Sequence, residues 1–275
     1  MAEDWQCPRQ AIAIVERTTP EAISAAIDDL FLNLARSASE GKQGALDHLK
    51  NLHHAIVERE EQGERLSRLL PSGLAQRLSK EGYRIGETEL LDVTILMSDV
   101  RDYSAIAERA DPSALARQLN EHRAAMSSSV SAEDGTVMQF VGDSVMAVFG
   151  ALLGQERHAE HAIAAARAMH AAQEEINRRW KAEALPSFPL GIGISTGRVA
   201  AALLGSEERL EYSLVGDSVN LAQRLQQWAG PGEIIVSEAT ANALEDRLDT
   251  GLLEAGRVKG REAEVRALRI RSGPG

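Results

Sequence analysis

The chain has 275 residues, of which 44% are hydrophobic and 26% charged, and 41 acidic against 30 basic side chains give a formal net charge of −11. These proportions are ordinary for a globular protein and argue against wholesale disorder or a collagen-like architecture. The excess of acid disfavours binding to nucleic acid, which depends on clustered Lys and Arg, and an aromatic content of 4% disfavours a base-stacking surface. A polyanionic substrate would therefore need metal ions or a few local cations.

Cysteine usage and hydropathy predict the compartment in which the protein works. The single cysteine, Cys7, excludes an internal disulfide and a CxxC zinc site, and a reducing compartment is the expected setting. No run approaches about 18 apolar residues, and the first ten residues carry two acids instead of a basic segment. We therefore predict a cytoplasmic protein with no membrane segment, no secretory signal and no nucleic-acid partner.

Residues 1–88 differ in pattern from the rest of the chain. Apolar residues recur there at three- and four-residue steps from about residue 20 to residue 78, with a glycine-containing break at 40–44. The pattern predicts a helical N-terminal region that serves dimerisation or regulation and has no chemistry of its own.

From residue 91 onward, strand patterns alternate with helix patterns. Strands are predicted at 91–100, 136–141, 144–150, 189–205, 211–216, 232–237 and 258–270, and helices at 112–131, 155–181 and 217–228. This order is the βαββαβ arrangement of ferredoxin-like folds, with an extra strand region at the C-terminal end. The predicted fold class is α+β, with a single domain at 89–271 after the helical region.

Two carboxylates stand where such a sheet would bring them together. Asp99 ends the first predicted strand, and Asp143 lies in the two-residue turn of the predicted hairpin. Two carboxylates in an apolar setting repel each other unless a cation lies between them, and Mg²⁺ prefers one or two carboxylates plus substrate phosphates. Either residue alone is explained as a turn or cap residue, but the pair predicts a metal–nucleotide site.

The sequence ValGlyAspSerVal occurs at 141–145 and again at 215–219. Because a helix pattern follows the second copy, Asp217 is predicted to be the N-cap of that helix and not a metal ligand. Asn220 and Arg224 are at i and i+4 on the helix and share a face. Arg suits charge that develops on a phosphoryl group, and Asn can orient a sugar hydroxyl. An ordinary half-exposed helix face is the alternative.

Two further segments have a predicted role. Residues 99–104 would begin a helix whose exposed backbone N–H groups can hold phosphate, with Tyr103 and Ser104 as the candidate phosphate-binding residues. The glycines at 191, 193 and 197 lack the strand–turn–helix context of a phosphate-binding loop. They are predicted instead to allow a close backbone approach at a dimer contact.

Three blocks of the sequence together resemble the catalytic domain of class III nucleotidyl cyclases of the bacterial type. They are VTILMSDVRDYSAIAE at 93–108, GTVMQFVGDSVMAVFG at 135–150 and GIGISTGRVAAALLGSEERLEYSLVGDSVNLAQRL at 191–225. The resemblance implies a palm-type domain in which the 3′-hydroxyl of ATP attacks the α-phosphate, giving 3′,5′-cyclic AMP and pyrophosphate. It also implies two metal ions per active site, Mg²⁺ or Mn²⁺.

The resemblance implies a role for each matching residue. The implied metal ligands are Asp99, Asp143 and the carbonyl of Val100. The implied catalytic residues are Asn220 and Arg224, the implied base contacts are Gln139 and Ser213, and Lys259 is implied to reach the terminal phosphates. In the family two domains meet head to tail, one supplying the aspartates and the other the Asn and Arg. A homodimer with two composite sites is therefore implied.

Two departures from the family pattern leave the base open. Gln139 stands where adenylyl cyclases usually have Lys, and Ser213 stands where Asp, or Thr or Ser in a bacterial subgroup, is usual. Gln and Ser both donate and accept hydrogen bonds, so neither forces a choice of base. ATP is predicted because a guanine-reading Glu is absent. The alternatives are a guanylate or mixed ATP/GTP cyclase and a nucleotide-binding regulatory pseudo-cyclase.

Overall fold

The architecture comes from a computed structural model of the chain. The structure describes residue 74 and residues 88–151, 156–206, 210–244, 251–256 and 265–271, all within one compact unit, Ser67–Gly275. The predicted helical region 1–88, apart from residues 74 and 88, lies outside the described residues, and so does Lys259. None of the described helices is both long enough and apolar enough to cross a membrane.

The described residues form a mixed eight-stranded sheet with helices. In chain order the elements are β1 (Thr88–Val100), α1 (Tyr103–Arg109), α2 (Pro112–Ser131), β2 (Thr136–Val141), β3 (Ser144–Phe149), α3 (His158–Ala182), β4 (Leu190–Gly205), β5 (Leu210–Val215), α4 (Asp217–Trp228), β6 (Glu233–Ser237), α5 (Glu238–Asn242), β7 (Gly251–Gly256) and β8 (Val265–Arg271). The strand order is β2-β3-β1-β4-β6-β8-β7, and β5 pairs with β4. Strands β1 to β4 with α2 and α3 form the ferredoxin-like unit, which confirms the predicted α+β fold class.

Several element boundaries differ from the sequence-based prediction. Helix α3 begins at His158 and not at residue 155, and a strand β7 that the sequence pattern did not predict precedes the final strand. The final strand ends at Arg271 instead of residue 270, and its predicted positions 258–264 lie outside the described residues. The N-cap of α4 is Gly216 and not Asp217, because the Gly216 carbonyl already accepts the first helical hydrogen bond, from the Val219 N–H at 3.2 Å. The predicted cap was therefore one residue too late.

At its C-terminal end β1 alternates between buried residues and half-buried residues that line a cavity, whereas both faces of the strand are buried at residues 93–96. Leu96 and Val100 are buried in the main core cluster, where α2 and α3 contribute Met126 and Met169. Because successive strand residues point to opposite sides, Asp99 lies on the other face. Burial on one face of β1 therefore orients the candidate metal ligand toward the other.

Helix α4 lies against the cavity face because β4 carries glycine where the two backbones meet. A Cβ at Gly193 would lie 2.1 Å from the amide nitrogen of Gln226 and 2.4 Å from the carbonyl oxygen of Ala222. A Cβ at Gly191 would lie 2.7 Å from the carbonyl oxygen of Ala229. The predicted close backbone approach is present, but it is made to α4 of the same chain, so its prediction as a dimer contact is corrected.

Candidate functional site

Strand pairing places the two candidate metal ligands side by side. β1 and β3 are antiparallel with Ser98 opposite Val145, so the end of β1 lies beside the start of β3. The turn that precedes β3 is the two-residue Gly142–Asp143 hairpin loop, and Gly142 has a φ of 61°, which favours glycine. The predicted juxtaposition of Asp99 and Asp143 is therefore present in the fold.

Protein donors orient both carboxylates. The backbone N–H of Val100 donates to Oδ2 of Asp143 at 2.9 Å, and the hydroxyl of Ser144 donates to Oδ2 of Asp99 at 2.9 Å. Nη2 of Arg101 lies 3.2 Å from Oδ1 of Asp99 in an ion pair whose side chains are largely shielded from solvent. Each carboxylate is thus held in place by neighbours on β1 or β3.

Electrostatics at this pair favour a bound cation. Burial, together with the negative charge of Asp99, raises the pKa of Asp143 to about 6 against the lowering effect of the Val100 N–H. Among the described residues no group of three or more His, Cys, Asp or Glu side chains could hold a metal ion. Two carboxylates and the Val100 carbonyl form an incomplete set of oxygen ligands, which suits an ion that substrate phosphates also coordinate. The residues present therefore fit Mg²⁺ or Mn²⁺.

The carboxylates open onto a cavity of about 800 Å³, at the upper end of the range for small-molecule sites. The sequence-predicted site residues that line it are Asp99, Val100, Tyr103, Ser104, Gln139 and Asp143. Of the predicted site residues that the structure describes, three are not among the lining residues, namely Ser213, Asn220 and Arg224. A single chain therefore brings together the candidate metal ligands and the start of α1, but not the candidate catalytic pair.

Helix α4 contributes to the cavity with a face that excludes the candidate catalytic pair. Val219, Gln223 and Gln226 line the cavity together with Gln227. Asn220 is exposed and is the residue after Val219, so its side chain points away from the face of α4 that lines the cavity. The i and i+4 spacing of Asn220 and Arg224 on one helical face is confirmed, but this face is offset from the cavity of their own chain.

The two candidate base contacts occupy different parts of the sheet. Gln139 follows an irregularity in the pairing of β2 with β3, is exposed, and its Nε2 lies 3.8 Å from Sδ of Met146. Sulfur is a weak acceptor, so this contact leaves the amide available to a ligand. Ser213 is half-buried on β5, opposite Ala202 of β4, and does not line the cavity.

Sequence reasoning missed three residues that support the site. Arg101 and Ser144 bind Asp99, and Arg123 of α2 donates from Nη2 to the Gly142 carbonyl at 2.6 Å, which holds the turn that carries Asp143. Ser144 directly follows Asp143 in sequence, and that adjacency could have identified it. The role of Arg123 depends on a contact between distant elements and left no local signal. Arg101 stands two residues after Asp99, but its contacts with the end of α4 arise only in the fold.

Fold and site together define an α+β domain of palm type with a candidate metal–nucleotide site, and comparison with known proteins gives its family. Residues 86–268 match the model of the adenylate and guanylate cyclase catalytic domain. The chain belongs to this family. The catalytic domains of class III cyclases bind nucleoside triphosphates and generally use divalent metal ions, and dimerisation is typical of them.

Individual relatives include cyclases of both base specificities. Adenylate cyclase 1 of Rhizobium meliloti is 35% identical over 176 residues, which cover 63% of this chain and 26% of that protein. The crystal structure of the guanylyl cyclase Cya2 is 31% identical with a TM-score of 0.64, covering 68% of this chain and 93% of that one. The adenylyl cyclase CyaB from P. aeruginosa is 28% identical with a TM-score of 0.62, covering 66% and 95%. The chain spans about a quarter of the length of the Rhizobium relative.

Proposed function

We propose that the chain is a nucleotidyl cyclase that converts ATP to 3′,5′-cyclic AMP and pyrophosphate for intracellular signalling. The observation that carries the proposal is the pairing of Asp99 with Asp143 in the lining of a cavity of about 800 Å³. The family membership and the adenylate cyclase of Rhizobium meliloti support it.

In this proposal the described residues supply the metal ligands. Asp99, Asp143 and the Val100 carbonyl would hold Mg²⁺ or Mn²⁺, with two ions in each site. When bound, the metal supplies charge neutralisation and lowers the pKa of the attacking hydroxyl. The Val100 N–H and the Ser144 hydroxyl keep the carboxylates oriented before the ion arrives, so little reorganisation is needed.

The remaining proposed roles concern the substrate. The backbone N–H groups at Tyr103 and Ser104, where α1 begins beside Asp143, bind phosphate oxygens. For Lys259, which lies outside the described residues, the resemblance to the family implies binding of the terminal phosphates. Asn220 orients the ribose so that the 3′-oxygen lies in line with the α-phosphorus. Arg224 stabilises the negative charge that develops on the phosphoryl oxygens and the departing pyrophosphate.

The placement of Asn220 and Arg224 supports a homodimer. Both lie on α4 but outside the lining of their own chain's cavity, so one protomer holds metal ligands without the candidate catalytic pair. A second copy that faces the first head to tail would complete each site with the α4 residues of the other protomer.

Exposed apolar surface on the sheet supports the same dimer. An apolar row crosses β1, β4 and β5, because Ala200 of β4 pairs with Leu90 of β1 on one side and with Val215 of β5 on the other. Leu90 is 69% exposed and Val215 is 55% exposed, and Leu204 farther along β4 is 41% exposed. A contiguous apolar row on a strand surface favours contact with another protein surface. A second protomer would remove this row from water.

Mixing two inactive variants tests both the reaction and the dimer. Asp99→Ala lacks a metal ligand and Arg224→Ala lacks the charge-stabilising residue, so each homodimer is expected to be inactive. In an equal mixture, half of the dimers are hybrids with one intact site, which predicts about a quarter of wild-type activity. The measurement is cyclic AMP formed from ATP with Mn²⁺ after the chains have exchanged.

Three controls for the mixing experiment show whether hybrids form, which dimers are active and whether wild type is a cyclase. Size-exclusion chromatography of differently tagged chains confirms that hybrids form. The double variant Asp99→Ala/Arg224→Ala in an equal mixture with wild type should give about a quarter of wild-type activity, all of it from wild-type homodimers, because its hybrids have no intact site. An absence of product from wild type with either ATP or GTP would reject the cyclase and favour a regulatory pseudo-cyclase. Active wild type with hybrids that form and stay inactive would reject the composite site alone.

A guanylate or mixed ATP/GTP cyclase is the second candidate function, and Gln139 is the observation that favours it. Its amide can donate or accept, and no strong hydrogen bond holds it in the described structure.

Gln139→Lys provides donors only, which suits N1 of adenine and opposes the N1–H of guanine. We expect the ratio of kcat/KM for ATP to that for GTP to rise about tenfold. Gln223→Lys is the matched control, because it adds the same charge elsewhere in the cavity lining. Equal ratios in the two variants would reject Gln139 as a base contact.

A further inference from the structure

Arg101 occupies a position between the metal site and helix α4. Its Nη2 lies 3.2 Å from Oδ1 of Asp99, and its backbone N–H donates to the carbonyl of Pro189 at 2.7 Å. On the other side, Nη1 lies 3.5 Å from the carbonyl oxygens of both Gln226 and Ala229. The guanidinium thus joins a candidate metal ligand to the last turn of α4.

The residues around Arg101 leave space for its guanidinium and shield it from water. A Cβ at Gly191 would lie 3.1 Å from Nε and 3.2 Å from Cζ of Arg101, so the missing side chain of residue 191 makes room for the guanidinium. The contacts to α4 are too long for strong hydrogen bonds, but they place a positive charge at the negative end of a helix. Only 19% of the Arg101 side chain is exposed, which limits the screening of these interactions by water.

We propose that Arg101 is a positioning residue that couples the two active sites of the dimer. It holds Asp99 for the metal site of its own chain, and it holds the end of α4, which carries Asn220 and Arg224 for the other site. This inference rests on the proposed function, because α4 serves the second site only in a head-to-tail homodimer. A change at Arg101 should therefore affect the site of its own chain and, separately, the site that its α4 completes.

Hybrid dimers with one intact site separate the two effects. One chain carries Asp143→Ala, which removes a metal ligand but keeps the ion pair of Arg101 with Asp99, and this chain supplies α4 to the intact site. The other chain carries Arg224→Ala and supplies the aspartates. Arg101→Met is added to one chain at a time, and hybrids are isolated through two different tags. On the aspartate-supplying chain, we expect activity to fall about 10- to 100-fold with a higher Mn²⁺ requirement. On the α4-supplying chain, we expect kcat to fall about three- to tenfold at an unchanged Mn²⁺ requirement.

A readout independent of activity and a matched control complete the test. Mn²⁺ binding to the nucleotide-free homodimer, followed by electron paramagnetic resonance, should be about tenfold weaker in Arg101→Met, with a melting curve that shows a folded protein. Arg178→Met, which breaks an exposed Arg–Glu pair on α3, should leave both measurements unchanged.

The outcomes distinguish this inference from the proposed function. If the parental hybrid is inactive, the composite site itself fails. If the parental hybrid is active and Arg101→Met on the α4-supplying chain has no effect, the coupling is overturned. Unchanged Mn²⁺ binding would overturn the positioning of Asp99. If Arg101→Met does not fold, Arg101→Lys, which keeps the charge and loses the planar fork, replaces it and is expected to show the same pattern with smaller changes.

Discussion

The Asp143→Asn variant is expected to lose cyclase activity by about 10³-fold while remaining folded. Asn keeps an oxygen that can accept the 2.9 Å hydrogen bond from the Val100 N–H, so the hairpin turn should stay in place. The substitution removes only the charge that binds the metal. The measurement is cyclic AMP formation from ATP with Mn²⁺, together with Mn²⁺ binding by electron paramagnetic resonance, which should also be lost.

The same variant is expected to be more stable than wild type when no metal is present. Because the pKa of Asp143 is raised from 3.8 to about 6, its carboxyl favours the folded state while protonated, and this contribution is lost as pH rises through about 6. At pH 8, Asn removes that penalty, and we expect a gain of about 1 kcal/mol and a rise in Tm of about 3 °C in EDTA. The charged carboxylate that binds metal therefore lowers the free energy of unfolding of the metal-free protein.

A matched control is available in the exposed turn between α2 and β2. Asp134→Asn changes the same group at a residue with a φ of 54°, a conformation that Asn tolerates. It should alter neither activity nor Mn²⁺ binding. Wild-type activity in Asp143→Asn would contradict the metal site, and a lower melting temperature would attribute the loss of activity to misfolding.

The second large effect is expected from Gly193→Ala on β4. The added methyl group would lie 2.1 Å from the amide nitrogen of Gln226. This nitrogen is a backbone atom of α4, so it cannot move aside as the end of a flexible side chain could. Helix α4 must therefore move away from the sheet, at a cost of about 3 kcal/mol, which corresponds to a fall in Tm of about 6 to 12 °C. Because α4 carries Asn220 and Arg224, the protein that remains folded should also lose activity.

Gly230→Ala serves as the control for this prediction. A Cβ there would meet the end of the flexible Glu233 side chain at 3.1 Å, and the backbone has no left-handed conformation. We expect its Tm to stay within about 3 °C of wild type. Thermal melting of both variants by circular dichroism makes the comparison. A Gly193→Ala protein that melts like wild type would show that α4 does not dock as closely as described.

The local pattern of apolar and polar residues predicted most of the strands and helices, but it did not predict the residues at which they begin and end. The β-branched apolar run of β1 and the two-residue turn before β3 were sufficient to predict both strands and the place of Asp143. The start of α4 was predicted one residue late, because a carbonyl and not the expected side chain begins the helix. Strand β7 was missed because its pairing with β8 gives it order that its own sequence pattern does not signal.

The sequence by itself determined the α+β class, the hairpin that carries Asp143 and the shared helical face of Asn220 and Arg224, because each of these depends on residues close together in the chain. Only the tertiary structure decided which partners these residues meet. The ion pair of Arg101 with Asp99 continues to the end of α4, and the face of α4 that enters the cavity excludes Asn220. Such contacts join elements more than 100 residues apart through the packing of α4 on a glycine-bearing strand, and no local periodicity encodes them.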